Sequence, residues 1–198
     1  MRPRAALGST FLTLGVLACG SEPGPPEEAV LMTFDLPANR VSGHLAASVG
    51  DVDGDGKADI GVAGVEETEH LPNEYVAWVY SGADGTLLLR LATGVAAGKG
   101  RSAIAGAGDV DGDGHADVIL GNRHAALAGE RSGGAWVFSG RDGELLHSFQ
   151  GDRAHDAFGA SVATAGDVDG DGLDDVVVGA EQHAAEAEGG GEGSGYVR

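Results

Sequence analysis

Short apolar stretches alternate with clusters of Gly, Asp and Asn from Val30 onward, and this pattern predicts β-strands joined by turns. The pattern also repeats. The hexapeptide DVDGDG begins at Asp51, Asp109 and Asp167, so that successive copies start 58 residues apart. A fixed interval of this length is typical of a structural repeat. After residue 30, no segment longer than a turn has the periodicity of a helix.

Each repeat predicts four strands in the same order. A strand of small residues precedes the acidic hexapeptide, an apolar strand follows it, and an aromatic strand is then joined to a fourth strand by a tight Asp-Gly turn. We place the first strands at 44–50, 102–108 and 160–166, the second at 60–64, 118–122 and 176–180, the third at 75–80, 134–138 and 195–198, and the fourth at 86–91 and 144–149. Four antiparallel strands in about 58 residues form one blade of a β-propeller. The chain is therefore predicted to be all-β, with two complete blades and a partial third.

The predicted propeller occupies residues 30–198, in units of about 41–99, 100–157 and 158–198. Val30–Leu36 lies where the fourth strand of a preceding blade would lie, and we expect it to complete the last blade of a ring. Because propellers usually close with about four to eight blades, we expect the chain to be a piece of a longer protein. A ring assembled from identical chains is the alternative.

Residues 1–18 have the pattern of an export signal, in which Arg2 and Arg4 precede an apolar stretch too short to span a bilayer. Val16–Cys19 resembles the lipobox of bacterial lipoproteins, which implies cleavage before Cys19 and acylation of that cysteine. An ordinary signal peptide is the alternative. Residues 19–29 have the Pro- and Glu-rich composition of an extended tether. The resemblance implies an exported lipoprotein of the bacterial outer membrane or cell surface, held to the membrane by its lipid.

The composition restricts the possible partners. The net charge of −19 argues against nucleic acid, because few Lys or Arg side chains are available to neutralise phosphates. The same charge favours cations as partners. Cys19 is the single cysteine, so the chain has no internal disulfide.

Carboxylates stand at positions 1, 3, 5 and 9 of each acidic loop, and position 6 is Gly. This spacing allows alternate side chains of a sharply turning loop to face one centre, together with the backbone carbonyl of position 7, and such hard oxygen ligands select Ca²⁺. The sequence therefore predicts about three Ca²⁺ ions, one in each loop. The ligands of loop 1 are Asp51, Asp53, Asp55, Asp59 and the carbonyl of Lys57; those of loop 2 are Asp109, Asp111, Asp113, Asp117 and the carbonyl of His115; those of loop 3 are Asp167, Asp169, Asp171, Asp175 and the carbonyl of Leu173. Without an ion these carboxylates would repel each other, so we expect the ion to be a structural requirement.

An EF-hand loop begins with the same spacing but needs a Glu at position 12 and flanking helices. Position 12 is Val62, Leu120 and Val178 in the three loops, each within a predicted strand, and the EF-hand interpretation fails.

The units resemble FG-GAP repeats, the Ca²⁺-binding propeller repeats of integrin α subunits and many bacterial surface proteins. Phe158-Gly159 and the segment Val176–Ala180 match the two halves of the pattern in the third unit. Ser42-Gly43 and Gly100-Arg101 replace Phe-Gly in the first two units, and the Pro of the second half is absent throughout.

The resemblance implies a Ca²⁺-binding scaffold or adhesion module outside the cell, with an extracellular protein or polysaccharide as its ligand. The loops Val65–Glu74, Arg123–Gly134 and Glu181–Ser194 differ between the repeats, and variable loops on a rigid frame are where binding is expected. The alternative is the propeller part of a secreted carbohydrate-active enzyme, a lyase or a hydrolase. The sequence has no HExxH or GxSxG motif, so we assign no catalytic residue and expect a protein that is not an enzyme.

Overall fold

A computed structural model of the protein describes residues 41–67, 73–97, 102–181 and 196–197. This part of the chain forms three antiparallel sheets and contains no helix. It accordingly has no helix of the length and apolar character required to cross a membrane. The prediction of an all-β fold is confirmed. The leader, Cys19 and the predicted strand Val30–Leu36 lie outside the described residues.

The three sheets are the predicted blades, and neighbouring strands in each sheet are consecutive in sequence. Blade 1 contains β1 (Val41–Gly50), β2 (Asp59–Glu66), β3 (Glu74–Tyr80) and β4 (Leu87–Ala96). Blade 2 contains β5 (Ser102–Gly108), β6 (Asp117–Asn122), β7 (Gly134–Phe138) and β8 (Leu145–Gln150). In blade 3 the described strands are β9 (Phe158–Gly166), β10 (Asp175–Ala180) and β11 (Tyr196–Val197). This arrangement is consistent with successive blades of a β-propeller.

Strand β4 is longer than predicted. It continues past Leu91 to Ala96, which pairs with Glu74 after a shift of register. Gly94 adopts a φ of 68° in this segment, and its N–H donates to Glu74 Oε1 at 2.8 Å. The side chain of β3 therefore holds an irregular extension that strand propensity alone does not indicate.

The blades pack face to face through apolar side chains. Val79 and Leu91 of blade 1 share a buried cluster with Leu120 and Phe138 of blade 2. The opposite face of blade 2 packs against blade 3 in a second cluster. Both faces of the middle strands of blade 2 are thus covered, which explains why their sequences are continuous apolar runs.

The small residues of the first strands allow successive blades to approach closely. A Cβ on Gly106 of β5 would lie 2.8 Å from the carbonyl oxygen of Val49 in β1. A larger side chain at this position would collide with the backbone of the preceding blade. The predicted first strands are present, and the close packing of successive blades explains why they consist of small residues.

The connections divide between the two ends of each blade. The acidic loops join first to second strands, so they lie at the same end as the turns between third and fourth strands. We call this the acidic end. The loop 123–133, between β6 and β7, and the connection 151–157, between blades 2 and 3, lie at the other end, which we call the variable end.

Candidate metal centre

Each acidic loop brings three carboxylates together. In every loop, one carboxylate oxygen from each of positions 1, 3 and 9 lies within 4.8 Å of the others. The three groups are Asp51, Asp53 and Asp59; Asp109, Asp111 and Asp117; and Asp167, Asp169 and Asp175. The position-5 residues, which are Asp55, Asp113 and Asp171, are not members of these groups.

Backbone N–H groups shape the loops by donating to the aspartates. In loop 2, Gly114 N–H donates to Asp109 Oδ2 at 3.0 Å and Asp113 N–H donates to Asp111 Oδ1 at 3.1 Å. His115 N–H donates to Asp113 Oδ1 at 2.9 Å. Loops 1 and 3 contain the same three bonds. Asp at alternate positions favours such turns, and here it leaves the position-5 carboxylate engaged with the amide of position 7.

Glycine at position 6 is required by conformation. Gly56, Gly114 and Gly172 have φ values of 85°, 89° and 92°, and a Cβ at any of them would meet no atom within 4 Å. Space is therefore available, but the left-handed backbone disfavours any residue with a Cβ. The interpretation of this glycine as the residue that permits the turn is confirmed.

The aspartate at position 9 ties each loop to the rest of its blade. Asp59 is fully buried, and its Oδ2 accepts the N–H of Val52 while its Oδ1 accepts the N–H of Gly82, both at 2.8 Å. Asp117 makes the equivalent bonds at 2.8 and 2.9 Å, and Asp175 accepts the position-2 N–H at 2.8 Å. A carboxylate has about four acceptor sites. Each oxygen therefore keeps a lone pair for a cation.

Burial raises the pKa of Asp117 above its ordinary value. The N–H groups of Gly140 and Val110 lower this pKa, and the nearby carboxylates Asp111 and Asp113 raise it further. The ionised form of Asp117 is thus disfavoured in the folded protein, and a divalent cation beside it would favour that form.

One carboxylate oxygen of loop 1 lacks a hydrogen-bond partner. Asp51 Oδ1 is buried and accepts no bond from the described residues. The equivalent atom of loop 2, Asp109 Oδ1, accepts N–H groups from Gly112 and Asp113 at 2.8 and 3.0 Å. An unpaired buried carboxylate oxygen is costly unless it contacts a cation or water. The all-oxygen donor set and this orphaned atom both fit a hard cation such as Ca²⁺.

Comparison with known proteins relates two parts of the repeat region to a known family. A sequence model of the FG-GAP repeat matches residues 158–197, and a model of the FG-GAP-like repeat matches residues 51–120. The chain contains FG-GAP repeats. It is also 29% identical, over 168 residues, to integrin alpha-4 of Xenopus laevis, an alignment that covers 78% of this chain and 16% of that protein. The chain thus corresponds to a small part of the length of this relative.

The Phe-Gly pair of the third FG-GAP repeat has a visible structural role. Phe158 is fully buried in the cluster between blades 2 and 3. Gly159 adopts a φ of 80°, and a Cβ there would lie 2.2 Å from the carbonyl oxygen of Gly134. The aromatic ring fills the interface while the glycine lets the backbones of two blades approach.

In each FG-GAP loop, the backbone N–H of position 7 donates to Oδ1 of the position-5 aspartate, with N–O distances of 2.8 to 2.9 Å for Lys57, His115 and Leu173. The imidazole Nδ1 of His115 lies 2.8 Å from the carbonyl oxygen of Val52 in loop 1. This ring is not a member of the carboxylate group of loop 2.

Sequence reasoning missed the role of two glycines. Gly82 and Gly140 belong to Ser-Gly pairs that precede the predicted Asp-Gly turns. A Cβ on either glycine would lie 1.9 Å from the carbonyl oxygen of the position-8 residue, Ala58 or Ala116. Their N–H groups bond the position-9 aspartates. The recurrence of Ser-Gly after 58 residues is the signal that could have found them.

Proposed function

We propose that this chain is part of a Ca²⁺-stabilised FG-GAP propeller that binds a ligand outside the cell and has no catalytic role. The observation that carries the proposal is the threefold recurrence of three carboxylates within 4.8 Å of one another. Integrin-like FG-GAP repeats favour an adhesion or ligand-binding module at the cell surface. Positions 1, 3 and 9 of each loop would hold one ion, with positions 5 and 7 completing the predicted ligand set.

The ion would supply stability by neutralising the clustered carboxylates. For a site with an affinity of about 0.1 mM in about 1 mM external Ca²⁺, mass action contributes roughly 1.4 kcal/mol per ion. Three such sites would contribute roughly 4 kcal/mol, a large share of the roughly 5–15 kcal/mol by which domains are stable. Ca²⁺ would therefore decide whether the fold persists.

We place the binding surface of the propeller at the variable end. Loop 123–133 is held in place because the N–H groups of His155 and Ala157 donate to the carbonyls of Glu130 and Arg131 at 2.8 and 3.0 Å. Leu127 remains 41% exposed at this fixed loop. Loops held by a framework of strands are where binding residues are usually found, so we place the surface for an extracellular protein or polysaccharide on this loop.

We further propose that the module is anchored in the bacterial outer membrane or at the cell surface through acylated Cys19, with residues 19–29 as the tether. Mass spectrometry of the protein from a membrane fraction should find lipid on Cys19. A Cys19→Ala variant should leave that fraction. Retention of this variant in the membrane would contradict the anchor.

Thermal unfolding with 1 mM CaCl₂ and with EGTA tests the metal role, and equilibrium dialysis gives the stoichiometry. We expect a higher melting temperature in Ca²⁺ and about three bound ions per chain. A Glu144→Gln variant should show the same increase in melting temperature and the same number of bound ions, since Glu144 is an exposed acid at the acidic end of blade 2 but outside the carboxylate groups. An unchanged melting temperature with no bound Ca²⁺ would contradict the proposal.

A further inference from the structure

Successive acidic loops are joined directly to each other. The N–H of Ala116, at position 8 of loop 2, donates to the carbonyl oxygen of Asp51, at position 1 of loop 1, at 3.0 Å. The N–H of Asp174, at position 8 of loop 3, donates to the carbonyl oxygen of Asp109, at position 1 of loop 2, also at 3.0 Å. Position 1 supplies a carboxylate to each group of three. The backbone that carries this carboxylate is therefore held by the loop that follows.

The junction between loops 2 and 3 has a second bond. Asp109 N–H donates to Asp174 Oδ2 at 2.9 Å, so Asp174 holds both the N–H and the carbonyl of Asp109. The carboxylate of Asp174 occupies space that Gly108 leaves open, since a Cβ on that glycine would lie 2.1 Å from Oδ2. Position 8 is alanine in the other loops, at Ala58 and Ala116. The second bond is thus particular to this junction.

Position 7 adds a packing contact at both junctions. The imidazole of His115 lies next to Gly54, with Cε1 at 3.3 Å from where a Cβ would stand. Leu173 lies in the same way next to Gly112, with Cδ2 at 2.9 Å from the equivalent point. In both cases, a side chain of one loop lies beside the exposed glycine at position 4 of the preceding loop.

We propose that Asp174 is a positioning residue for the carboxylate group of loop 2, and that Ca²⁺ binding in successive loops is positively coupled. This inference rests on the proposed function. An ion in loop 3 would fix Asp175 and with it the adjacent Asp174, which orders Asp109 before loop 2 binds. Less ordering entropy then opposes binding in loop 2. The coupling is reciprocal, because each ion changes the affinity for the other by the same factor.

The sign of the coupling distinguishes this contact from simple electrostatics. Two cations repel each other, so charge alone predicts that an ion in loop 3 weakens binding in loop 2. At an ionic strength of 0.15 M, exposed charges are screened beyond about 8 Å. Positive coupling at that ionic strength is therefore the expected signature of the hydrogen bonds between the loops.

The position-6 glycines report the occupancy of each loop separately. The N–H groups of Gly56, Gly114 and Gly172 donate to the position-1 carboxylates of their own loops at 2.8, 3.0 and 3.0 Å. A bound ion would polarise these carboxylates and shift the amide resonances. A Ca²⁺ titration of the full chain, followed by ¹H–¹⁵N correlation spectra, then gives one midpoint for each loop.

Two substitutions of Asp174 separate the hydrogen bond from the charge. Asp174→Ala should move the Gly114 midpoint to about three- to tenfold higher Ca²⁺, as expected for loss of one hydrogen bond. Asp174→Asn keeps an oxygen that can accept the N–H of Asp109, so its midpoint should stay within about twofold of the parent. Equal midpoints for the Ala and Asn variants would overturn the positioning role.

Asp169→Asn tests the coupling itself. It removes a carboxylate from loop 3 but keeps an acceptor for the N–H of Asp171, which Asp169 Oδ1 binds at 3.1 Å. The Gly172 midpoint should rise strongly, and the Gly114 midpoint should rise about threefold, within the range that one preorganising hydrogen bond supplies. Glu144→Gln is the charge control and should change neither. A Gly114 midpoint that is unchanged in Asp169→Asn would overturn the coupling alone, whereas glycine resonances that do not respond to Ca²⁺ in the parent would overturn the proposed function as well.

Discussion

Replacement of Asp117 by Asn separates the structural role of position 9 from its proposed role as a metal ligand. The side chain is 0% exposed, and its Oδ1 and Oδ2 accept the N–H groups of Gly140 and Val110 at 2.9 and 2.8 Å. Asn offers one oxygen. One of the two backbone N–H groups would therefore face the amide NH₂ and lose its acceptor.

The size of the effect follows from these two bonds. A hydrogen bond to a charged acceptor is worth about 1.5–3 kcal/mol, and a buried donor left unpaired costs about 1–3 kcal/mol. Removal of one negative charge offsets part of this loss in the absence of an ion, because the pKa of Asp117 is raised by burial and by its acidic neighbours. We expect Asp117→Asn to lower the free energy of unfolding by about 2–4 kcal/mol in EGTA, and by more in 1 mM Ca²⁺.

Asp111→Asn is the matched control, since Asp111 is exposed in the same loop and its Oδ1 accepts the N–H of Asp113. Asn can keep that bond, so this variant should lose no more than about 0.5 kcal/mol in EGTA and about 1.4 kcal/mol in 1 mM Ca²⁺. Urea denaturation followed by tryptophan fluorescence measures both variants in both conditions. If Asp117→Asn is as mild as Asp111→Asn in EGTA, the structural role assigned to position 9 is wrong.

Three further predictions concern the interface, the acidic end and the variable end. Gly159→Ala should lower the free energy of unfolding by more than about 3 kcal/mol, because the left-handed backbone alone costs about 1–2 kcal/mol and the Cβ would lie 2.2 Å from a carbonyl oxygen. Gly166 has a φ of 68° and open space around it, so the control variant Gly166→Ala should cost only about 1–2 kcal/mol. Equal losses for the two variants in urea denaturation would contradict the steric argument. In EGTA, the raised pKa of Asp117 favours the folded state at low pH, and this contribution is lost as the pH rises through the raised pKa. Ca²⁺ competes with protons for the carboxylates, so the increase in melting temperature caused by Ca²⁺ should grow between about pH 4 and about pH 7. An equal increase at both pH values would count against carboxylate ligands. Glu181→Gln should cost less than about 1 kcal/mol, since the Glu181 side chain that pairs with Arg123 is 47% exposed, and a loss that persists in 1 M NaCl would argue against an ionic origin.

The middle strands of blade 2 were predictable because both of their faces are buried. β6 and β7 are continuous apolar runs bounded by acidic and glycine-rich turns, and their predicted limits differ from the observed limits by at most one residue. The extension of β4 to Ala96 could not be predicted in the same way. It depends on hydrogen bonds of Glu74 and Thr93 to the neighbouring strand rather than on local propensity.

The candidate site was predictable in its residue types and only partly in its geometry. The spacing identified positions 1, 3 and 9, which the structure brings together, whereas the carboxylate of position 5, which stays a predicted ligand, accepts the N–H of position 7. The hydrogen bond between Asp109 and Asp174 joins residues 65 positions apart, and no local sequence pattern predicts it. Contacts between blades depend on the placement of whole sheets. They become visible only when the repeats are assembled.

The separation of the acidic and variable ends has a consequence for sequence change. β6 spans six residues between them, a distance of about 20 Å at the usual rise of a strand. Substitutions at the exposed tip of loop 123–133 would therefore change the proposed binding surface and leave the carboxylates in place, because the backbone bonds to residues 155 and 157 do not depend on side-chain identity. Natural selection or a laboratory library can diversify one end while the other keeps the frame folded.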